Sequence, residues 1–145
     1  MLAASKKIIG LHGSSTTNAA TATGNIDTLD FDHSLVDIIM ATSSAVTTKT
    51  TVLKLQESAT TDASNFSDLS GAVGGTDFTI PAAKTAGESV VRFSVSKAKK
   101  PHKRYLRGVV SPATTQIISI TAELFRGDAT PANAAGMGVE ALVNV

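Results

Sequence analysis

Apolar and polar positions along this chain repeat with a period of two far more often than with helical spacing. Val91, Phe93 and Val95 alternate with Arg92, Ser94 and Ser96. Ile118, Ile120, Ala122 and Leu124 alternate with Ser119, Thr121 and Glu123 over the span Gln116 to Arg126. Between Thr50 and Glu57, Thr51, Leu53 and Leu55 fall on one side and Lys54 and Gln56 on the other. Successive side chains of an extended strand point to opposite faces, so each segment predicts a half-buried β-strand. The run Leu35-Val36-Asp37-Ile38-Ile39-Met40 predicts a strand buried largely on both faces.

Shorter segments complete the pattern. Lys7 to Leu11 and Arg104 to Ser111 read as strands, Phe66 and Leu69 mark another, and Phe78-Thr79-Ile80 reads as a brief one ended by Pro81. Gly74-Gly75 marks a tight turn, and Ser58 to Ser64, Lys84 to Glu88 and Lys97 to Lys103 read as turns or loops. Gly13 to Asn25 is almost wholly Ser, Thr, Ala and Gly, which predicts a loop or extended arm. No stretch carries apolar residues at helical spacing. About eight short strands with frequent turns predict an all-β, antiparallel two-sheet sandwich, because each sheet must bury one face. A jelly roll is the leading topology and an immunoglobulin-like sandwich the alternative; the Cys and Trp marks of antibody domains are missing.

The expected organisation is an N-terminal strand and arm over residues 1–25, a sandwich over 26–127 and a C-terminal tail over 128–145. That tail is rich in Ala, Gly and Pro before the apolar run Val139 to Val145. The run has two readings: docking on a neighbouring subunit, or a final edge strand of the same domain.

Composition narrows the chemistry. The 145 residues include 19 Thr and 15 Ser, and charged residues make up only 17%. β-branched residues suit a pleated surface, which supports the strand reading. With no cysteine, neither a disulfide nor a thiolate metal site is possible. A net charge of +1 gives little long-range steering toward nucleic acid or membranes. No segment has the roughly 18 apolar residues that span a bilayer as a helix. The N-terminus lacks the basic-then-apolar order of a secretory signal, so a soluble protein made in the cytoplasm is expected.

Candidate site residues are few. Lys97, Lys99, Lys100, Lys103, Arg104 and Arg107, with His102 among them, hold 6 of the 13 Lys and Arg residues. Such a cluster could hold phosphates, but only Tyr105 interleaves, so no base-stacking platform is visible. A contact to a protein partner is favoured over nucleic acid, and a solvated hairpin turn is the plain reading. Asp27, Asp30, Asp32 and His33 form an acidic cluster whose spacing lacks the glycine turn and distal Glu of a calcium loop. It reads as a surface loop, and no metal is assigned.

Ser94-Val95-Ser96-Lys97 and Ser96-Lys97-Ala98-Lys99 match Ser-x-x-Lys, but on a strand those positions point to opposite faces. Asn65-Phe66-Ser67 fits a glycosylation pattern that has no meaning without secretion. No catalytic residue or cofactor is assigned, and an enzyme is not expected.

Three segments in order carry a family resemblance. They are Asn25-Ile26-Asp27-Thr28-Leu29-Asp30-Phe31-Asp32, then Thr51-Val52-Leu53-Lys54-Leu55-Gln56-Glu57-Ser58, then Lys103-Arg104-Tyr105-Leu106-Arg107 followed by Ser111-Pro112. Their order, over roughly Ile26 to Pro131, resembles the small capsid cement or decoration proteins of tailed bacteriophages. The resemblance implies a non-enzymatic, head-stabilising role on the virion exterior. It implies the major capsid protein as partner, a homotrimer, and no catalytic residues. The alternatives are another virion component, such as a head–tail connector or tail-fibre-associated protein, and a carbohydrate- or cell-surface-binding β-sandwich. The last would ordinarily present exposed aromatics, and this chain has one Tyr and no Trp.

Overall fold

The computed structural model describes residues 5–17, 20–41, 50–81, 88–127 and 141–145. The strands are β1 (Ser5–Thr16), β2 (Ala22–Asp27), β3 (His33–Ala41), β4 (Val52–Ser58), β5 (Ser67–Val73), β6 (Glu88–Ser96), β7 (Tyr105–Ser111), β8 (Gln116–Phe125) and β9 (Ala141–Asn144). Among the described residues the one helical element is a single 3-10 turn, Ala63–Asn65, capped by the Asp62 carboxylate.

The strands form two sheets. One is ordered β1-β8-β3-β6-β9, the other β2-β7-β4-β5. All pairings are antiparallel except β6 with β9. Strands β1, β8, β3 and β6 packed over β2, β7, β4 and β5 give the doubled Greek key of a jelly roll. The immunoglobulin-like order is not adopted.

Alternation decides what enters the core. From β3, β6 and β8 come Val36, Ile38, Met40, Val91, Phe93, Val95, Ile118, Ile120, Ala122 and Leu124, all 5% exposed or less. Ile26, Leu53, Leu55, Leu69, Ala72, Leu106 and Val110 face them from the other sheet. Burying side chains of this size stabilises the fold by about 1.5–3 kcal/mol each relative to exposure. Phe93, fully buried, meets the edge of the Phe78 ring at 5.5 Å between centroids.

Three expectations need correction. Residues expected to form a loop or arm, 13–25, instead include the end of β1 and most of β2. The inward positions of β2 are Ala22, Gly24 and Ile26. Two of these are too small to register as a hydrophobic pattern, and at Gly24 the sheets come too close for any side chain. Phe78 to Ile80 is not a strand: Phe78 makes one isolated bridge with Gly74, and its carbonyl accepts from Gly75 N–H at 2.8 Å. That arrangement turns the chain at Gly75, where φ is +83°. Finally, β3 is not buried on both faces but alternates, with Leu35, Asp37 and Ile39 half-buried on the outer side. Most of the expected Lys84 to Glu88 loop lies outside the described residues; Glu88 begins β6.

Candidate interaction surface at the basic turn

The acidic and basic clusters sit in different crossings between the sheets. Residues 28–32 link β2 to β3, and residues 97–104 link β6 to β7. Both crossings occur at the same end of the sandwich, because β2 lies against β7 and β3 against β6. The turns therefore interlock. Thr28 N–H and Oγ1 both donate to the Arg104 carbonyl, at 3.0 and 2.6 Å. Lys97 N–H donates to the Asp32 carbonyl at 2.9 Å, and Lys97 Nζ to the Thr28 carbonyl at 3.1 Å.

The Arg104 guanidinium grips the Asp27 carboxylate through Nε at 2.9 Å and Nη2 at 2.7 Å. This bidentate hydrogen bonding, chiefly, holds the Asp27 carboxyl below the usual carboxylate range and raises the arginine. Asp32 accepts from Gly127 N–H at 3.1 Å, tying in the end of β8.

The remaining cations are placed as follows. Lys100 Nζ donates to the Ser70 carbonyl on the edge strand β5. Lys99 N–H donates to Ser96 Oγ at 3.4 Å within the turn. Arg107 points outward from β7, donates to Gln56 Oε1 at 3.0 and 2.6 Å, and lies 4.0 Å above the Phe66 ring. Gln56 donates to Asp68, which pairs with Lys54 at 2.7 Å. Burial of Arg107 lowers its pKa, and the Lys54 and Gln56 hydrogen bonds lower that of Asp68. The Lys103 main-chain N–H donates to Glu57 at 2.8 Å, while its ammonium has no hydrogen bond or ion pair among the described residues.

His102 donates from Nδ1 to the Lys103 carbonyl at 2.7 Å, and its buried Nε2 meets no hydrogen-bond partner among the described residues. Desolvation pushes the imidazole below its ordinary pKa.

Lys97, Lys100, Arg104 and Arg107 thus have side chains that brace the fold. The sequence showed two separate clusters of opposite sign; the structure interlocks them at one end of the sandwich, with Asp27 and Arg104 forming an ion pair between them. His33, grouped with the acidic residues, is instead buried in β3, with Nε2 3.2 Å from Ser94 Oγ. No group of three or more His, Asp and Glu residues placed to hold a metal occurs among the described residues.

Two surface features escaped the sequence reading. On the outer face of the five-stranded sheet, Lys7, Ile9, Leu35, Thr121 and Glu123 flank a groove of about 330 Å³ that ends at the Asp37–Arg92 pair. That pair is bidentate, 2.6 Å at both contacts, and Ile9 stands 66% exposed. A second, open cleft of about 490 Å³ lies at the opposite end from the basic turn, lined by Thr50 and the segment Gly75 to Ile80. Consecutive apolar residues at Ile8 and Ile9 were the available clue to the first; the second is built from loop residues with no period.

No protein-family model matches the chain, and no curated protein matches it. Among solved structures, the chain is similar to part of a family GH115 4-O-methyl-α-glucuronidase with specificity for decorated arabinogalactans. The identity is 12% and the TM-score 0.39, over 85% of this chain and 16% of that one. The chain therefore spans about a sixth of that protein's length.

Proposed function

We propose that this protein is a non-enzymatic virion component that binds the outside of a phage capsid and stabilises contacts between capsomers. The observation that carries the reading concerns the three segments of the family resemblance. Far apart in sequence, they occupy the adjacent strands β2, β7 and β4. Asn25, Ile26 and Asp27 pair with Arg107, Leu106 and Tyr105, which pair on their other side with Gln56, Glu57 and Ser58. The resemblance thus covers one contiguous patch of the four-stranded sheet and the turn below it, not scattered fragments.

The physics suits that role. A subunit that binds only the assembled shell stabilises the shell by linkage, by an amount that grows with its affinity and free concentration. Trimeric copies at a local three-fold axis would add weak contacts through multivalency. Within the basic turn, Lys103 is the cation best placed for the major capsid protein, because its ammonium is exposed and uncommitted among the described residues. Arg104 and Arg107 serve the fold first.

Quantitative mass spectrometry of purified particles tests the reading. Many copies per head, with heads lacking the chain breaking at lower temperature and regaining resistance on adding it back, is the expected result. Absence from particles, or a copy number matching a single ring, would overturn it in favour of no virion role or a connector.

A further inference from the structure

β9 differs from the other strands in how it is held. It joins the sheet beside β6 as its one parallel member, pairing Ala141, Leu142, Val143 and Asn144 with Val91, Arg92, Phe93 and Ser94. Val145 continues the ladder: its N–H donates to Ser94 O at 2.9 Å, and its carbonyl accepts from Ser96 N–H at 3.3 Å. Val143 is 7% exposed in the core. Val145 reaches across toward Gly71 of β5, where an added Cβ would lie 3.5 Å from its Cγ1. β9 therefore fills the gap between β6 of one sheet and β5 of the other, with four residues of parallel pairing to hold it.

The connection does not oblige β9 to use its own gap. Phe125, at the end of β8, is level with Ser96 of β6 through their shared partner His33, whereas β9 enters at the level of Val91. The return needs about 16 Å along the strands and about 14 Å across three strand spacings, or about 22 Å in all. Sixteen residue steps from Phe125 to Ala141 can span about 50 Å. The tether has more than twice the required reach.

We infer that the β6 edge is a strand-acceptor site and that β9 exchanges between copies of this chain, the C-terminal strand of one copy completing the sandwich of another. The occupant is a second copy of this chain: the same five residues, in the same register. The closed and exchanged forms make the same β6–β9 contacts, so protein concentration measured against the tether's effective concentration decides between them. Crowding many copies onto one surface favours exchange. That surface need not be a capsid.

The chain has no cysteine, which makes the test direct. Ser94 and Asn144 are register partners. One copy carries S94C and one tag; another carries N144C and a different tag. The two are refolded together from micromolar to about millimolar concentration, the range of effective concentration set by an intramolecular connection, and then oxidised. The expected result is a disulfide-linked species bearing both tags, rising with concentration. The double variant, S94C with N144C in one chain, forms an intrachain bond when dilute. That intrachain bond with no cross-tag product at the highest concentration overturns the inference. A second measurement uses the unmodified chain: light scattering over the same range shows a mass increase that V143D abolishes. A mass that stays monomeric throughout overturns the inference as well.

Discussion

Gly10 of β1 and Gly24 of β2 lie against each other where the two sheets meet at one side of the sandwich. A β-carbon on Gly24 would fall 2.9 Å from the Gly10 carbonyl carbon and 2.9 Å from Cβ of Ile120. Neither obstacle is the far end of a flexible side chain, so the backbone itself must yield. Gly24→Ala is expected to cost about 1–3 kcal/mol, and Gly24→Val more, read as a lower urea midpoint. An unchanged midpoint in both variants would show that the sheets do not close here.

At the core the expected loss is larger. Phe93→Ala removes a fully buried ring and should cost about 3–5 kcal/mol. Phe78→Ala removes the ring that meets it edge-on, but Phe78 is itself partly exposed, so its loss should be smaller. Equal losses would contradict the placement of Phe78 as a cover over Phe93.

These two rings mark what the sequence made legible. Phe93 belongs to the alternation of β6, and period two places it inward without any knowledge of its neighbours. Phe78 packs on the core from a turn, where no period exists to reveal it. Gly24 shows the opposite failure: an inward strand position occupied by hydrogen, because space is scarce, carries no hydrophobic signal. The candidate site follows the same logic. Charge runs are visible in sequence, but the pairing of Asp27 with Arg104, 77 residues later, depends on β2 lying beside β7. Nothing local records that adjacency.

The Asp27–Arg104 contact should appear in the acid limb of stability. Its folded-state carboxyl binds protons less readily than an unfolded one, whose pKa is about 3.9. The contribution is therefore present above that value and is lost as pH falls through the lower folded-state value. Arg104→Gln should flatten the wild-type decline below about pH 4. The change should be small, because the pair is exposed, and smaller still in high salt. Thermal midpoints from pH 5 to 2 in both proteins check it.

His102 also costs stability as pH falls, but in a higher pH range and because burial disfavours its charged form. Burial favours its neutral form, so the unfolded chain takes up a proton near its ordinary pKa of about 6.5 before the folded chain does. Stability is full above that pH and falls as pH drops from 6.5 toward the lower folded-state value. His102→Gln should remove this slope, so the difference between variant and wild type shifts in the variant's favour from pH 7.5 to 5. A parallel pH dependence in the two proteins would show that His102 does not titrate differently on folding.

The Asp37–Arg92 pair offers a third electrostatic test. Both side chains are about one-fifth exposed, and the two hydrogen bonds fix their geometry. A double-mutant cycle with Asp37→Ala and Arg92→Ala should give a coupling of about 1 kcal/mol. Coupling near zero would mean that solvent screens the pair as fully as an ordinary surface contact.

The strand order also bears on how the chain is made. In the five-stranded sheet, Ser5 pairs with Phe125, so the first strand has no permanent neighbour until the eighth has been synthesised. Strands β3 and β6 wait for each other as well, His33 pairing with Ser96, and of the described strands adjacent in sequence only β4 and β5 pair directly. A nascent chain still on the ribosome can settle little more than that one hairpin. The bulk of its apolar surface waits for the last third of translation, so yield should depend on how quickly elongation finishes and on what shields the unfinished polypeptide meanwhile.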